Sequence, residues 1–547
     1  MPRKHKGPPQ ESIDSILLAL SRRDDISSET LSHYLTRLDE EWTNGARQKV
    51  LQLLRSNDTS AHTAAMFILS ELATNFDLDE IEEFVTDPTV SDAAKLTISP
   101  LLKELNSELA DEGIIEYLND PIGSMQQMQM RILDIVEQGE MGIQTVLTDI
   151  IAMPVERRLN FLEWLGSSND PRAVRLLLPL LEGQTGKMVS AVIEALEELG
   201  PIASQQAIPA LNHLISTNSN RQLKQQARTA LGRLTMQALP GTEDDALAEA
   251  RQQQLPLYEA YASFVDGSGA QLVMLSWQCP DGLLKIFHVF FQEQWGIKDC
   301  YGVDEVSQEH WHELITSIRK KSFGCVLVPF EYAYALIAEG RTLNKRTRRK
   351  LPIAYFIWRP LIESDETSQL SLPPTVLPPR LLDDATRTLA QRGDKLYELL
   401  EFASWMYEPT SRLEPYITRY WLFPLGSGAS AEGKRVKGKR SRHIIADRTV
   451  LLKQIIDEAL QELVDSNWRL LYEARIRHQA AILQQVGRTQ DADLCMAVAA
   501  LLHPDSQVPV QDQPFLYAMM NLSIEQGPLR MMAESLEAMG VDMNPKL

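Results

Sequence analysis

The sequence predicts a mainly α-helical protein in which a stack of helix pairs precedes a small α+β domain and a helical C-terminal region. Three observations support this prediction. A segment between Phe161 and Leu234 repeats itself at intervals of about 34 residues. The helical spacing of apolar residues changes to alternation after about residue 255 and returns after about residue 381. Finally, 547 residues are more than one hydrophobic core usually serves.

The composition is that of a folded protein. Hydrophobic residues make up 44% and charged residues 23% of the chain, and the net charge is -20. This charge disfavours nonspecific binding of nucleic acid by the chain as a whole. No apolar run approaches the roughly 20 residues that cross a bilayer, and the basic start of the chain has no apolar segment after it. We therefore expect a cytoplasmic protein with no membrane association.

The four cysteines are few and irregularly spaced, and no C-x-x-C pair occurs. This pattern argues against a disulfide framework and against a structural zinc site. We expect reduced, partly buried thiols, and no metal or cofactor.

The first part of the chain is predicted to be helical. Residues 1 to 12 have the composition of a flexible tail, and from Ile13 the apolar residues follow helical spacing. Short helices separated by Asp-Pro or Asn-Asp turns are expected to fill residues 13–240.

The repeat is clearest in its second helices. The residues Phe161 to Gly166 return as Ala195 to Gly200, and again as Ala230 to Leu234. A helix pair with an apolar stripe on both helices cannot bury it alone, so neighbouring pairs must stack into a continuous core. Pro179 and Pro209 fall inside the first helices, where a proline bends the helix.

This pattern resembles the HEAT-repeat family, in the short variety of bacterial proteins similar to phycobilisome lyases. The resemblance is carried by Asp170 to Val174 and by the apolar positions from Val192 to Gly200. It implies a curved α-solenoid over residues 13–240, and solenoids of this shape usually bind other macromolecules. The lyases of the wider group bind a linear tetrapyrrole, but nothing in this sequence matches residues for that chemistry. Only the fold is therefore expected to carry over.

Residues 255–363 are predicted to form an α+β domain. Asp-Gly turns between apolar and β-branched runs favour hairpins, and so an antiparallel meander is expected. The expected strands are Tyr261–Val265, Gln271–Gln278, Leu283–Phe291 and Cys325–Val328, the expected helices are Ser307–Lys320 and Glu331–Lys350, and Pro352–Leu361 is expected to add a strand or a turn.

The remaining chain is predicted to be a linker followed by helices. Residues 364–380 are rich in Ser, Thr and Pro, which is typical of a linker or long loop. Helical periodicity then marks most of 381–547, interrupted by a basic loop at 426–444.

One stretch suggests metal chemistry. Asp266 follows the first strand, and Glu313 and Glu331 lie on later elements, an order that resembles the opening of ribonuclease H-like nucleases. The resemblance implies that these carboxylates hold two divalent cations for phosphoryl transfer. However, Asp-Gly-Ser-Gly is also a common turn composition, and a hairpin turn is the favoured interpretation of Asp266.

Two other stretches have structural interpretations. His310 and His312 are two residues apart on a predicted helix, so they point to different faces, unlike the i, i+4 pair of a helical zinc site. A surface pair around a buried Trp311 is favoured. The distinctive segment Trp295 to Gly302 is expected to be a packed loop, with a ligand-binding or partner-binding loop as the alternative.

Two basic runs stand out against the acidic total, at 341–350 and 434–442. They are candidate phosphate-binding patches, but a solvated helix end and a flexible loop are the favoured interpretations. The candidate nucleic-acid-binding residues are Arg346, Arg348, Arg349, Lys437, Lys439 and Arg440.

The sequence therefore favours a non-catalytic scaffold or adaptor that binds a protein partner through the solenoid. The alternative is a nucleic-acid-associated protein or a metal-dependent nuclease that uses a ribonuclease H-like α+β domain. Nucleic acid is the less favoured partner, and the oligomeric state is left open.

Overall fold

The computed structural model describes residues 12–22, 28–56, 58–110, 113–237, 255–320, 324–363, 371–422, 439–529 and 532. The chain divides into two compact units, Met1–Asp134 and Ile135–Leu547. The helical array expected over 13–240 is therefore split between two units. Residues 1–11 of the expected tail lie outside the described ranges.

The first unit is built from short helices around one apolar core. Ile16, Val50, Ile68, Ile81 and Ile98 are fully buried in that core. The α-helices are α1 (Ile13–Ser21), α2 (Ser28–Glu40), α3 (Ala46–Leu54), α4 (Thr59–Leu72), α5 (Leu78–Thr86), α6 (Asp92–Glu104) and α7 (Pro121–Glu137), the last of which crosses the boundary between the units.

Side-chain caps begin several of these helices. Asp58 accepts a hydrogen bond from the backbone N–H of Ser60 at the start of α4, and Ser91 accepts one from Ala94 at the start of α6. Each cap satisfies an amide that has no partner within the helix. The turns that begin at Asp58 and at Asp87 therefore lie between helices, as expected for this part of the chain.

The second unit begins with six helices, and we call each two that follow one another in the chain a helix pair. The helices are α8 (Glu140–Ala152), α9 (Val155–Ser167), α10 (Arg172–Leu177), α11 (Gly186–Leu199), α12 (Pro201–Thr217) and α13 (Arg221–Gln237). A 3-10 turn over Leu178–Leu181 extends α10, with Pro179 near its start. Pro209 lies inside α12. The second helices pack side by side, because α11 contacts both α9 and α13.

The sheet has five strands in the order β4-β3-β2-β1-β5, and every neighbouring pair is antiparallel. The strands are β1 (Leu257–Ser263), β2 (Ala270–Gln278), β3 (Leu284–Gln292), β4 (Gly296–Val306) and β5 (Cys325–Leu327). The prediction of a small antiparallel meander is confirmed. The packed loop expected at Trp295–Gly302 is wrong, because β4 begins at Gly296 and pairs along β3.

Helices cover both faces of the sheet. Trp311 and Ile315 of α14 (Gln308–Lys320) belong to one core cluster with Ile286 of β3. The next residue, Phe287, stacks on Trp358, and successive strand residues point to opposite faces. The second face carries α15 (Phe330–Thr347) and α16 (Ile353–Ile362).

The expected strand or turn at Pro352–Leu361 is therefore wrong. Pro352 precedes the first residue of α16, and Pro360 lies inside the helix near its end. The apolar residues of this stretch are compatible with either a strand or a helix. In the structure they form a helix that buries both Tyr355 and Trp358.

The C-terminal part is helical, with α17 (Asp384–Ala390), α18 (Thr410–Trp421), α19 (Lys439–Leu463), α20 (Ser466–Gln485), α21 (Thr489–Leu502) and α22 (Pro514–Glu525). Asp465 lies between α19 and α20 and caps α20, because its carboxylate accepts a hydrogen bond from the N–H of Trp468. Residues 371–383 of the linker region have no regular secondary structure.

Within the described ranges, no helix combines the length and the apolar character needed to cross a bilayer.

Candidate functional site

The repeated motif brings the second helices of the pairs into close contact. Gly166 ends the first copy of the motif, and a Cβ atom at this position would lie 2.9 Å from Cα of Ala195 in the second copy. The absence of a side chain therefore lets α9 and α11 approach closely. Ala195 and Ala230, which begin the second and third copies of the motif, are both buried.

The exposed side of α9, α11 and α13 forms a polar groove of about 730 Å³, which we call the ladder groove. It is lined by Leu159, Asn160, Glu163, Gly186, Lys187, Ser190, Ala191, Glu194, Ala195, Glu198, Asn220, Gln222, Leu223 and Gln226. The lining positions of α11 recur at intervals of three or four residues, so they form one stripe along the helix.

A hydrogen-bond network fixes the middle of the ladder groove. The Nε2 amide of Gln226 donates to the carboxylate of Glu194 at 3.0 Å and to the carbonyl of Ser190 at 3.2 Å. The hydroxyl of Ser190 donates to Oε1 of Gln226 at 2.8 Å. These contacts tie α13 to α11 and orient polar groups across the groove.

The ladder groove carries more negative than positive charge. Glu163, Glu194 and Glu198 line it, against the single cation Lys187. Two amide side chains of α9 and α13, Asn160 and Gln222, are exposed beside these carboxylates. The groove thus presents acceptors for cations together with amides that both donate and accept hydrogen bonds.

The sheet domain contacts the other side of the same helix pairs at α8 and beside the 3-10 turn, and we call this contact the closed face. Oε1 of Gln144, on α8, accepts from the backbone N–H of Gly302 at 3.0 Å and from the indole N–H of Trp358 at 3.2 Å. Trp358 is fully buried. A Cβ atom at Gly302 would lie 1.9 Å from the indole ring, so only glycine fits there.

Ion pairs surround this contact. Lys285 of β3 pairs with Glu140 of α8 and lies 3.3 Å from Asp304 of β4. Burial alone would lower the pKa of Lys285, but the two carboxylates outweigh it and the pKa is raised. Arg359 of α16 pairs with Glu182 beyond the 3-10 turn.

Asp266 serves the turn after β1. One oxygen of its carboxylate accepts from the N–H and the hydroxyl of Ser268 and from the N–H of Ala270, all at 2.8–2.9 Å. The hairpin interpretation is therefore confirmed. Across the described residues no group of three or more His, Cys, Asp or Glu side chains could hold a metal ion, so Asp266, Glu313 and Glu331 do not converge.

The two histidines of α14 flank a buried tryptophan, as expected. Trp311 is fully buried, whereas the side chains of His310 and His312 are 71% and 50% exposed. His312 and the indole N–H of Trp311 both contact Glu259, at 3.4 and 3.0 Å. These contacts join α14 to β1 and leave no paired imidazoles for a metal.

The first basic run does not form one patch. Arg341 pairs with Glu363, and the guanidinium of Arg349 stacks 3.7 Å from the centroid of the Trp295 ring. Arg346 lines a separate cavity. Arg348 ends α15 with a φ of +57°, in the left-handed region. These candidates therefore serve different local contacts.

The second basic run can be followed only in part. Lys437 lies outside the described residues. Lys439 and Arg440 belong to the first turn of α19, so the last positions of the basic loop expected at 426–444 are helical. Binding of nucleic acid by these residues stays a prediction.

All four cysteines are free, and Cys300, Cys325 and Cys495 are buried. Burial raises the pKa of the Cys325 thiol to about 12, which keeps it protonated and unreactive. Burial of three of the four cysteines agrees with the expected partly buried thiols, and their reduced state stays a prediction.

The closed face was not recognised from the sequence. Its central residues, Gln144 and Gly302, are 158 positions apart and belong to different predicted domains. The one available signal was the aromatic and glycine-rich segment Trp295 to Gly302, which was interpreted as a loop.

The chain matches no family model, no curated protein and no solved structure. The resemblance to HEAT repeats therefore rests on the residues of the repeat themselves, and it stays a prediction.

Proposed function

We propose that the protein is a non-catalytic adaptor that binds a protein partner through a HEAT-like solenoid, and that the ladder groove is the binding surface. The observation that carries this proposal is the difference between the two sides of the helix pairs. On the side of the closed face, the sheet domain contacts α8 and Glu182 and shares the lining of a cavity of about 670 Å³, whereas the lining of the ladder groove, about 730 Å³, includes no residue of the sheet domain.

The chemistry of the ladder groove favours an extended, basic segment of the partner. A peptide in extended conformation offers backbone N–H and C=O groups, and the amides of Asn160 and Gln222 can pair with both. Arg or Lys side chains of such a segment would meet Glu163, Glu194 and Glu198. Main-chain hydrogen bonds would supply affinity, and the carboxylates would select the charge.

The described part of the chain offers no support for the metal site of the nuclease alternative. The carboxylate of Asp266 is used by a turn, and the metal-ligating side chains do not gather into a group of three or more. No observation favours the nuclease alternative over binding.

The proposal can be tested with a short fluorescein-labelled peptide of alternating Arg and Ser and its counterpart of Glu and Ser. Fluorescence anisotropy with the full chain should show binding of the basic peptide only, weakening as salt is added. The double variant Glu194→Lys, Glu198→Lys should bind about tenfold more weakly or worse, because both substitutions reverse the charge along the groove.

The matched control is Glu71→Lys, Glu83→Lys, which changes the net charge equally on exposed positions of the first unit. It should bind the basic peptide like the wild type. Equal weakening in both double variants would show that only total charge matters, and it would exclude the ladder groove as the site.

A further inference from the structure

A second cavity lies elsewhere in the second unit, where α15 and α20 meet the turns at one end of the sheet. Its volume is about 400 Å³, within the range typical of small-molecule sites. It is lined by Val265, Gly269, Gln271, Phe291, Gln292, Glu293, Gly296, Leu336, Glu339, Gly340, Thr342, Leu343, Arg346, Val376, Leu471, Ala474, Arg475 and His478.

The walls of this cavity are held in place by buried polar contacts. The guanidinium of Arg475, on α20, donates to both carboxylate oxygens of Glu293 and to the carbonyl of Gly267. Gln479 accepts from the N–H of Val265 at 2.8 Å. The indole N–H of Trp405 donates to the carbonyl of Val265 at 3.0 Å. The helix and the β1–β2 turn are thus fixed relative to each other.

The third wall is fixed by α15. The side-chain amide of Asn344 accepts from the N–H of Ile297 and donates to its carbonyl, at 2.6 and 2.9 Å. Gly340 lets the helix approach the ring of Phe291, since a Cβ there would lie 2.4 Å from it. The cavity is therefore preformed by elements that hold one another.

A buried acceptor without a partner lines this cavity. Gln271 is 3% exposed, and its Nε2 donates to the carbonyl of Ser263 at 2.8 Å. A carbonyl can only accept, so the amide cannot be turned round, and Oε1 must be an acceptor. Among the described residues Oε1 has no hydrogen-bond partner. Leaving such a group unpaired is costly, so a ligand that donates to it would be stabilised.

The other polar groups of the lining favour the same ligand chemistry. The carboxylate of Glu339 accepts a hydrogen bond from the hydroxyl of Thr375. Because the hydroxyl is neutral, this hydrogen bond does not neutralise the negative charge of Glu339. The positive charge of Arg475 is paired with Glu293. Arg346 lies seven residues beyond Glu339, about 10 Å along the axis of α15.

His478 adds no positive charge at neutral pH. Burial lowers its pKa below the ordinary value of 6.5, although Glu339 acts in the opposite direction. Its Nε2 is buried and without a hydrogen-bond partner among the residues that the structure describes. The neutral imidazole can donate or accept a hydrogen bond, so it can pair with a ligand group of either kind.

We propose that this cavity binds a small organic amine with an apolar body of about the size of an indole ring. The protonated amine donates to Glu339 and Oε1 of Gln271. The body packs against apolar side chains of the sheet, α15 and α20, which include Phe291, Leu336 and Leu471. This site is separate from the ladder groove, so it stands or fails independently of the adaptor function.

The test uses two probes of matched shape and opposite charge, tryptamine and indole-3-propionate, titrated into the full chain by calorimetry. Tryptamine should bind and indole-3-propionate should not. Glu339→Gln, which keeps the side-chain shape, should weaken tryptamine binding about two- to fivefold, because a charge-assisted hydrogen bond at a solvent-exposed carboxylate becomes a neutral one. Glu414→Gln, on the exposed side of α18, is the matched control and should bind like the wild type.

A second variant fills the space without removing a polar group. Ala474→Phe should abolish tryptamine binding, and its thermal midpoint will show whether the fold is kept. Absence of tryptamine binding to the wild type, equal binding of the propionate, or unchanged affinity in a folded Ala474→Phe protein would each overturn the proposal.

Discussion

The two sides of the helix pairs in the second unit are formed by the same repeated sequence, but their surroundings differ. The closed face is covered by β4 and α16, with Gln144, Gly302 and Trp358 at its centre. The ladder groove is open and lined by carboxylates and amides. The repeat therefore supplies one scaffold with an internal contact on one side and a free surface on the other.

One of the three first helices, α10, is much shorter than α8 and α12, which have 13 and 17 residues. The second helices α9, α11 and α13 are regular over 13, 14 and 17 residues. The first helix of the middle pair, α10, has six residues and passes into a 3-10 turn at Leu178. Pro179 accounts for the change, because a proline removes one backbone hydrogen bond and crowds the preceding turn.

The largest effect is expected at the centre of the closed face. Gly302→Ala would place a methyl group inside the ring of Trp358, so the free energy of unfolding should fall by about 3 kcal/mol or more. Chemical denaturation of the full chain measures this change.

The matched control is Gly232→Ala on α13, where a Cβ would meet nothing within 4 Å. Because alanine favours helix over glycine, this variant should be more stable by about 0.5–1 kcal/mol. If Gly302→Ala unfolded at the same denaturant concentration as the wild type, the closed face as described would be wrong.

The second effect is a pH dependence of stability that arises from a buried histidine of the sheet. His288 is buried and stacks on Tyr301 at 4.5 Å, and burial lowers its pKa from 6.5 to about 4. The unfolded chain therefore binds the proton more readily than the folded chain. Stability should be complete above pH 6.5 and should fall by about 3 kcal/mol as the pH drops to about 4.

His288→Gln removes the titrating group, so the decline between pH 6.5 and 4 should become shallower by that amount. Denaturation curves at several pH values would check this. An equally steep decline in the variant would assign the pH dependence to other groups.

A smaller effect is expected from the amide that joins the two domains. Gln144→Leu leaves the N–H groups of Gly302 and Trp358 without an acceptor, at a cost of about 2 kcal/mol in unfolding free energy. Gln226→Leu, in the ladder groove, should cost less than about 1 kcal/mol, because water can replace its partners. A larger loss in Gln226→Leu would reverse the assignment of closed and open sides.

The smallest effect is expected from the ion pair of Arg359 with Glu182, whose side chains are 32% and 26% exposed. Arg359→Ala should lower the unfolding free energy by less than about 1 kcal/mol. The loss should shrink as salt is added. A loss that is large and independent of salt would show that packing of the side chain, and not its charge, matters at this position.

The sequence was sufficient for the local parts of this architecture. The repeat at Phe161 to Gly200 defined the second helices, and the Asp-Gly turns defined β1, β2 and β3. The stripe of polar positions on α11 could also be found by taking the residues between the buried ones, since Glu194 and Glu198 are exposed where Ala195 and Leu199 are buried.

The long-range contacts could not be predicted in the same way. Nothing local distinguishes Gln144 from the other polar residues of α8, and its role depends on Gly302 and Trp358 in another domain. The interpretation of Pro352–Leu361 failed for the same reason, since burial of Trp358 against Phe287 is a property of the assembled sheet. The cavity behind Gln271 likewise depends on α20, more than 200 residues later.

Hydrogen exchange of the full chain, with and without the Arg–Ser peptide, locates the surface that binds the peptide. We expect added protection of backbone amides in α11 and α13, and unchanged exchange in α8 and α16. Protection centred on α8 and α16, or none in α11, would contradict the ladder groove as the binding surface.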